Sequence, residues 1–259
     1  MRLTSRLVQT GISGVAISVL LAVAIPGVSD ATALRSGSTA ASSPFCTNLS
    51  ANASAANAKL TALQTKLTAA QNQRSTNKTN NWGKWAQTLS TDQANWNTER
   101  QSEFAKLQTK ATTSAEQTAV TTYETAITTA INARESANAS ARTAYQNGVT
   151  TALASQASTV NAQVATMSTA IRDAVTTAQA SCASDPSNGG TAIRTTFITA
   201  MNAAHTTFLT DRNGDGTIKS QIEALAQTLK TTTSANNATF ATAAASAAAA
   251  LKNAFGVAS

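Results

Sequence analysis

The sequence predicts an all-α fold, in which a shorter helical hairpin packs at the base of a long antiparallel helical hairpin with an eleven-residue repeat. Three observations predict it. Large apolar residues recur with a helical period over more than half of the chain, none of the three prolines falls between residues 45 and 185, and two cysteines flank this stretch. Proline breaks helix interiors, so its absence permits very long helices.

The repeat is clearest in the second half of the long hairpin. One of its rows contains Val120, Ile131, Arg142, Leu153, Val164 and Val175, each eleven residues from the next. Eleven residues for three turns correspond to about 3.67 residues per turn, a period that produces a slightly right-handed and nearly straight helix. The first half keeps the same period, with Leu60, Trp82 and Phe104 in one row.

The phase of the repeat changes near residues 110–117, which places the turn of the hairpin. Thr113 with Glu116, or Ser114 with Gln117, offers a capping box that would start the second helix. We therefore expect helices over about 47–110 and 114–181. Each is about 100 Å long at 1.5 Å per residue.

Cys46 precedes the first helix and Cys182 ends the second, and their midpoint coincides with the turn. An antiparallel hairpin folded there brings the two sulfur atoms together at its open end. In an exported protein an isolated cysteine pair most often forms a disulfide, so we predict a Cys46–Cys182 bond. The same register places the three tryptophans, residues 82, 85 and 96, opposite small residues of the second helix, which favours a packing role over a ligand stack.

The first 33 residues predict export. Arg2 and Arg6 form a basic start, residues 11–25 are apolar but short for a membrane span, and residues 31–33 match a small-x-small cleavage site. We expect a signal peptide at 1–33, a disordered segment at 34–45 and no membrane insertion after cleavage. Without cleavage, the apolar run would be an N-terminal anchor.

The remaining residues, 183–259, predict two further helices separated by the acidic loop 211–218. We expect this second hairpin to fold back on the cysteine end and to leave a bare two-helix arm at the turn of the long hairpin (46–182). Residues 231–237 form a weak helical stretch that could bend or break the last helix.

The loop "DRNGDGTI" resembles the first two-thirds of an EF-hand or dockerin calcium loop. Its candidate calcium ligands are Asp211, Asn213, Asp215, Thr217 and Glu223. Calcium prefers six to eight oxygen ligands converging from one tight curve. The bidentate glutamate of the last loop position is replaced by Ile222, with Glu223 one residue late, so the resemblance implies a weak, structural Ca²⁺ site. The alternative is a simple turn between helices.

The sequence gives little evidence for catalysis. His205 is the only histidine, no catalytic set assembles around it, and no phosphate-binding glycine loop occurs. Charged residues are only 12% of the chain and the net charge of +7 is scattered rather than clustered, which does not indicate a nucleic-acid partner. We expect no catalytic or cofactor-binding residues.

The layout resembles exported long-helical proteins of small-genome, host-dependent bacteria. The shared features are the signal peptide, the two cysteines, the run "EFAKLQTKATT" and the ending "LKNAFG". This resemblance implies no particular activity.

A second resemblance is to Ala/Thr-rich helical ice-binding proteins. It rests on two outer rows of the second helix, with members eleven residues apart: Thr118, Thr129, Ser140, Thr151, and Thr125, Ser136, Asn147, Ser158, Thr169.

The function that the sequence favours is that of a non-catalytic, exported, rod-like structural or interaction protein, as in an envelope spacer or an adhesin. Its expected partner is a protein or other cell-surface material, and its oligomeric state is open. The alternatives are a calcium-dependent binding module and a hydroxyl-rich helical face that binds ice or another surface.

Overall fold

The structure is a computed structural model that describes residues 43–185, 190–214 and 217–256. In these ranges the chain forms four helices and no strand: α1 (Pro44–Lys110), α2 (Ser114–Ser184), α3 (Gly190–Gly214) and α4 (Thr217–Ala254). The predicted all-α fold is confirmed. The expectations for residues 1–42, the signal peptide and most of the disordered segment, lie outside the described residues.

Helices α1 and α2 form the predicted antiparallel hairpin. Contacts along its length join residues whose numbers add up to about 230, close to the value near 228 set by the two cysteines. These pairs include Gln71–Asn161, Arg74–Gln156, Lys78–Thr150 and Phe104–Tyr123. The register of the hairpin therefore follows from the positions of the cysteines and of the turn.

The turn, residues 111–113, is held by the capping box of Thr113 and Glu116. The Thr113 amide donates to Glu116 Oε2 at 2.9 Å, and the Glu116 amide donates to Thr113 Oγ1 at 3.2 Å. The amide of Thr112 also donates to Glu116 Oε2, at 2.8 Å. Of the two predicted capping pairs, the structure uses this one, which satisfies several of the backbone donors that a helix start leaves free.

Glu116 should make the stability of the turn depend on pH. The hydrogen bonds from Thr113 and Thr112 lower the pKa of this carboxyl below its ordinary value of 4.5. A lowered pKa stabilises the folded state above the unfolded-state pKa, and this contribution is lost as the pH falls through the folded value. We expect an NMR titration to give a Glu116 pKa below 4.5. Glu116→Gln should reduce the loss of stability on acidification, and a Glu116 pKa at or above 4.5 would contradict this role.

The helices contribute to two compact units. We call the first the disulfide unit; its described part is residues 43–74, 154–185 and 190–214, with Thr217. Its core combines residues of α1, α2 and α3: Leu49, Ala56, Leu60, Leu63, Val164, Met167, Ile171, Ala174, Ala178, Phe197, Met201, Ala204 and Phe208. Burial of these apolar side chains is the main driving force for its folding.

The second unit, which we call the turn unit, contains residues 75–153 and 218–256. Its buried apolar residues are Ala111, Val120, Ile127, Ile131, Val149, Ala152 and Ile222. The large apolar residues of the eleven-residue repeat in α2 are all buried or half-buried, so the repeat marks the inner face of the helix as predicted.

Helix α4 lies along α2 in the turn unit, which differs from the sequence prediction. Leu225 packs so closely on Gly148 that a Cβ added there would come within 2.6 Å of Leu225 Cδ2. Further along α4, Asn236 Nδ2 donates to Asn138 Oδ1 at 2.9 Å. The later residue of α4 contacts the earlier residue of α2, so the two helices are antiparallel. The predicted bare two-helix arm is therefore wrong, because α4 covers this part of the hairpin.

The weak stretch 231–237 does not interrupt α4, which is continuous to Ala254. Thr233 Oγ1 donates to the Leu229 carbonyl at 2.8 Å, and Asn236 bonds to α2. These contacts and the packing of Phe240 offset the low helix propensity of the stretch, as tertiary contacts commonly do.

Candidate functional sites

The predicted disulfide joins Cys46 and Cys182, whose Cα atoms are 5.6 Å apart. Cys46 lies in the first turn of α1, where its amide donates to Ser43 Oγ at 3.2 Å, and Phe45 beside it packs against Phe197 of α3 with ring centroids 5.7 Å apart. The disulfide and this aromatic contact hold the start of α1 against both α2 and α3.

The side chains of Asp211, Asn213, Asp215 and Thr217, the proposed calcium ligands, lie outside the described part of the chain. The fifth, Glu223, is exposed and pairs with Lys219 at 3.7 Å. The backbone is helical up to Gly214 and again from Thr217, an interval shorter than the twelve-residue EF-hand loop. Within the described residues no group of three or more acidic, histidine or cysteine side chains could hold a metal. Calcium binding here stays a prediction.

A calcium-dependent melting experiment tests this prediction. A site without the bidentate glutamate should bind with a dissociation constant of about 10⁻⁴–10⁻³ M. At tenfold excess of calcium over that constant, the linkage stabilises the fold by about 1.4 kcal/mol. We expect a small rise in melting temperature in millimolar calcium relative to chelator, abolished by Asp215→Ala. If wild type and variant have the same melting temperature with calcium and with chelator, the loop is only a turn between helices.

Trp96 is half-buried in the turn unit, in line with a packing role. Its ring meets Phe240 of α4 edge-on at 6.5 Å, and the guanidinium groups of Arg100 and Arg134 lie 5.4 and 5.3 Å from its centre. Arg134 also lies 4.4 Å from the Phe240 ring. Buried Nε and Nη1 atoms of Arg100 have no hydrogen-bond partner, so the aromatic faces stabilise its charge.

Arg142 occupies a core position of the eleven-residue row. Partial burial lowers its pKa, and the nearby carboxylate of Glu135 raises it. Arg142, Arg100 and Arg134 are all half-buried in the turn unit, and so is Glu135. For Arg142, the sequence signal was the interruption of an apolar row by an arginine.

His205 is half-buried on α3, as expected for an ordinary helix residue.

The outer rows of α2 are open to solvent. All nine residues that define them, from Thr118 to Thr169, are exposed. Several hydroxyls donate to the carbonyl four residues earlier: Thr118 to Ser114 at 2.9 Å, Thr125 to Thr121 at 2.9 Å and Ser140 to Ser136 at 3.1 Å. These hydrogen bonds restrict the side-chain rotamers of Thr118, Thr125 and Ser140.

A groove of about 660 Å³ opens between α2 and α3 in the disulfide unit. Its apolar lining includes Met167, Ala170, Ala174, Ile193 and Phe197, and its polar lining is mostly hydroxyl groups. Sequence reasoning missed this groove. Alanines one turn apart also occur elsewhere in α2, as at residues 133, 137 and 141, so the sequence carried no distinctive signal for it.

No helix in the described ranges is both long and apolar enough to cross a membrane. The sequence matches no known family model, and comparison with curated proteins and with solved structures gives no match. Fold and sites therefore define its class: an all-α helical-hairpin protein closed by a disulfide, with an exposed hydroxyl face on its second helix.

Proposed function

We propose that this chain is a non-catalytic, exported structural or interaction protein, an adhesin or envelope spacer, that binds its partner through an outer stripe of α2. The stripe consists of the exposed residues of the turn unit Thr118, Thr125, Thr129, Ser136, Ser140, Asn147 and Thr151. The distance in sequence between successive members alternates between seven and four residues, which keeps all seven on one side of the helix. This exposed array is the observation that carries the proposal.

The chemistry of the stripe supports a role in surface binding. The hydroxyls of Thr118 and Ser140 already donate to backbone carbonyls, so their oxygens are oriented to accept a hydrogen bond from a partner, whereas the Asn147 amide can both donate and accept. Oriented groups lose little conformational entropy when a partner binds. The disulfide and the signal-like N-terminus support an oxidising, extracytoplasmic location.

A binding assay with matched variants tests this proposal. Labelled protein that starts at Leu34 is added to intact cell-surface material. Thr129→Arg with Ser140→Arg should weaken binding at least about tenfold, which corresponds to about 1.4 kcal/mol. The control is Thr228→Arg with Thr239→Arg on α4, because these exposed threonines are also eleven residues apart and donate to carbonyls four residues earlier. Equal binding of both variants would contradict the proposal.

The spacing of the same stripe favours ice as a second candidate partner. Eleven residues of helix rise about 16.5 Å, so equivalent groups repeat at a constant distance that a crystal lattice could match. A thermal-hysteresis assay of the same variants separates the two functions. If the stripe binds ice, the wild type and the α4 control variant show thermal hysteresis and the stripe variant does not. If the protein is an adhesin or spacer, none of the three shows thermal hysteresis.

A further inference from the structure

Helix α4 is packed most firmly at its start. Of the α4 side chains that the structure describes, Ile222 alone is buried. Leu225, about one turn further on, packs closely against Gly148 of α2. From Leu229 to Ala254 every residue is half-buried or exposed. The burial that holds α4 in the turn unit is therefore concentrated in the first third of the helix.

The far part of α4 has little apolar area with which to bind the hairpin. Eight of the ten residues 241–250 are alanine, and an alanine methyl group removes little apolar surface from water when it packs. Alanine also has the highest intrinsic helix propensity. This stretch is therefore helical mainly through its own backbone preference, and its separation from the hairpin loses little apolar contact.

Polar and aromatic contacts join the far part of α4 to the hairpin. Asn236 Nδ2 donates to Asn138 Oδ1 at 2.9 Å, and both residues are half-buried. Water can replace a neutral hydrogen bond of this kind at small net cost. Phe240 lies 6.5 Å from the Trp96 ring and 4.4 Å from the Arg134 guanidinium. In the described ranges no ion pair joins α4 to α1 or α2, so no charged contact opposes separation.

We infer that residues 230–254 form a strap, which separates from the hairpin as one segment while the first third of α4 stays in place. In the closed state Phe240 lies against Trp96 and Arg134, and in the open state these two side chains of the hairpin face solvent. The weak helical stretch 231–237 lies at the start of the strap and loses its tertiary support when the strap opens. The outer stripe of α2 is exposed in both states, so this motion is independent of the proposed binding.

Native-state hydrogen exchange of the oxidised full-length protein, followed residue by residue by NMR, tests this motion. The amides of residues 232–250 should share one protection factor, at least about tenfold lower than that of residues 120–131 of α2, because the strap opens as one segment. Equal protection in the two helices would overturn the inference. Protection that falls gradually toward Ala254 would also overturn it, because that is the fraying of a helix end.

Two alanine variants test the contact that closes the strap. Asn236→Ala removes the hydrogen bond to α2 and should speed exchange of residues 232–250 several-fold, with α2 unchanged. The matched control is Thr239→Ala, because Thr239 is exposed and donates to the Ala235 carbonyl of its own helix. Both substitutions raise the intrinsic helix propensity by a similar amount, so the control should not speed exchange. Equal effects of the two variants would overturn the inference.

Discussion

Loss of the Cys46–Cys182 disulfide should lower the free energy of unfolding by about 4–5 kcal/mol, because the bond closes a very long loop. The two residues are 136 positions apart, so the unfolded chain without the bond gains much conformational freedom. For a chain of this size each kcal/mol corresponds to a shift of about 2–4 °C in melting temperature. Thermal melting of Cys46→Ser with Cys182→Ser should therefore show a fall of roughly 8–20 °C.

Reductant provides the control for this result. Reduced wild type should melt near the double variant, while the double variant itself should not respond to reductant. A double variant as stable as the oxidised wild type would show that helix packing alone determines the stability of the hairpin.

Phe197→Ala should produce the second large loss, about 3–5 kcal/mol. Its side chain is 2% exposed in the core of the disulfide unit and contacts Phe45 at the start of α1. Truncation removes the apolar contacts and leaves a cavity between helices that cannot fully collapse. Urea unfolding followed by circular dichroism measures this loss.

Phe240→Ala is the matched control for this prediction. Phe240 is only half-buried, on α4 of the turn unit, where it contacts Trp96 and Arg134. We expect a smaller loss than at Phe197, because less apolar area leaves water on folding. A larger loss for Phe240→Ala would mean that the cation–aromatic contacts of the turn unit dominate the stability of the fold.

The start of α1 is encoded in the sequence by a local signal that the apolar period does not contain. We predicted that the first helix starts near residue 47, but α1 starts at Pro44. Ser43 caps the amide of Cys46, and proline at the first helical position is a typical start signal because its missing amide hydrogen costs nothing there. The Ser43–Pro44 pair is therefore the signal in the sequence for this boundary, which the apolar pattern does not show.

The sequence by itself determined the long hairpin, its turn, its register and its disulfide. Each of these depends on local or symmetric information: an eleven-residue apolar period, the capping box of Thr113 and Glu116, and two cysteines equidistant from that turn. The outer stripe of α2 follows from the same period, since fixing the inner face of a helix also fixes its outer face.

Only the tertiary structure decided the position of α4 and the existence of the groove. The apolar stripe of α4 is compatible with packing on any complementary face, because hydrophobic contacts are not directional. Its pairing with α2 depends on contacts between residues about a hundred positions apart, such as Asn138 with Asn236. The groove appears only when α2 and α3 are placed side by side, because a surface left open by packing is a property of several helices together.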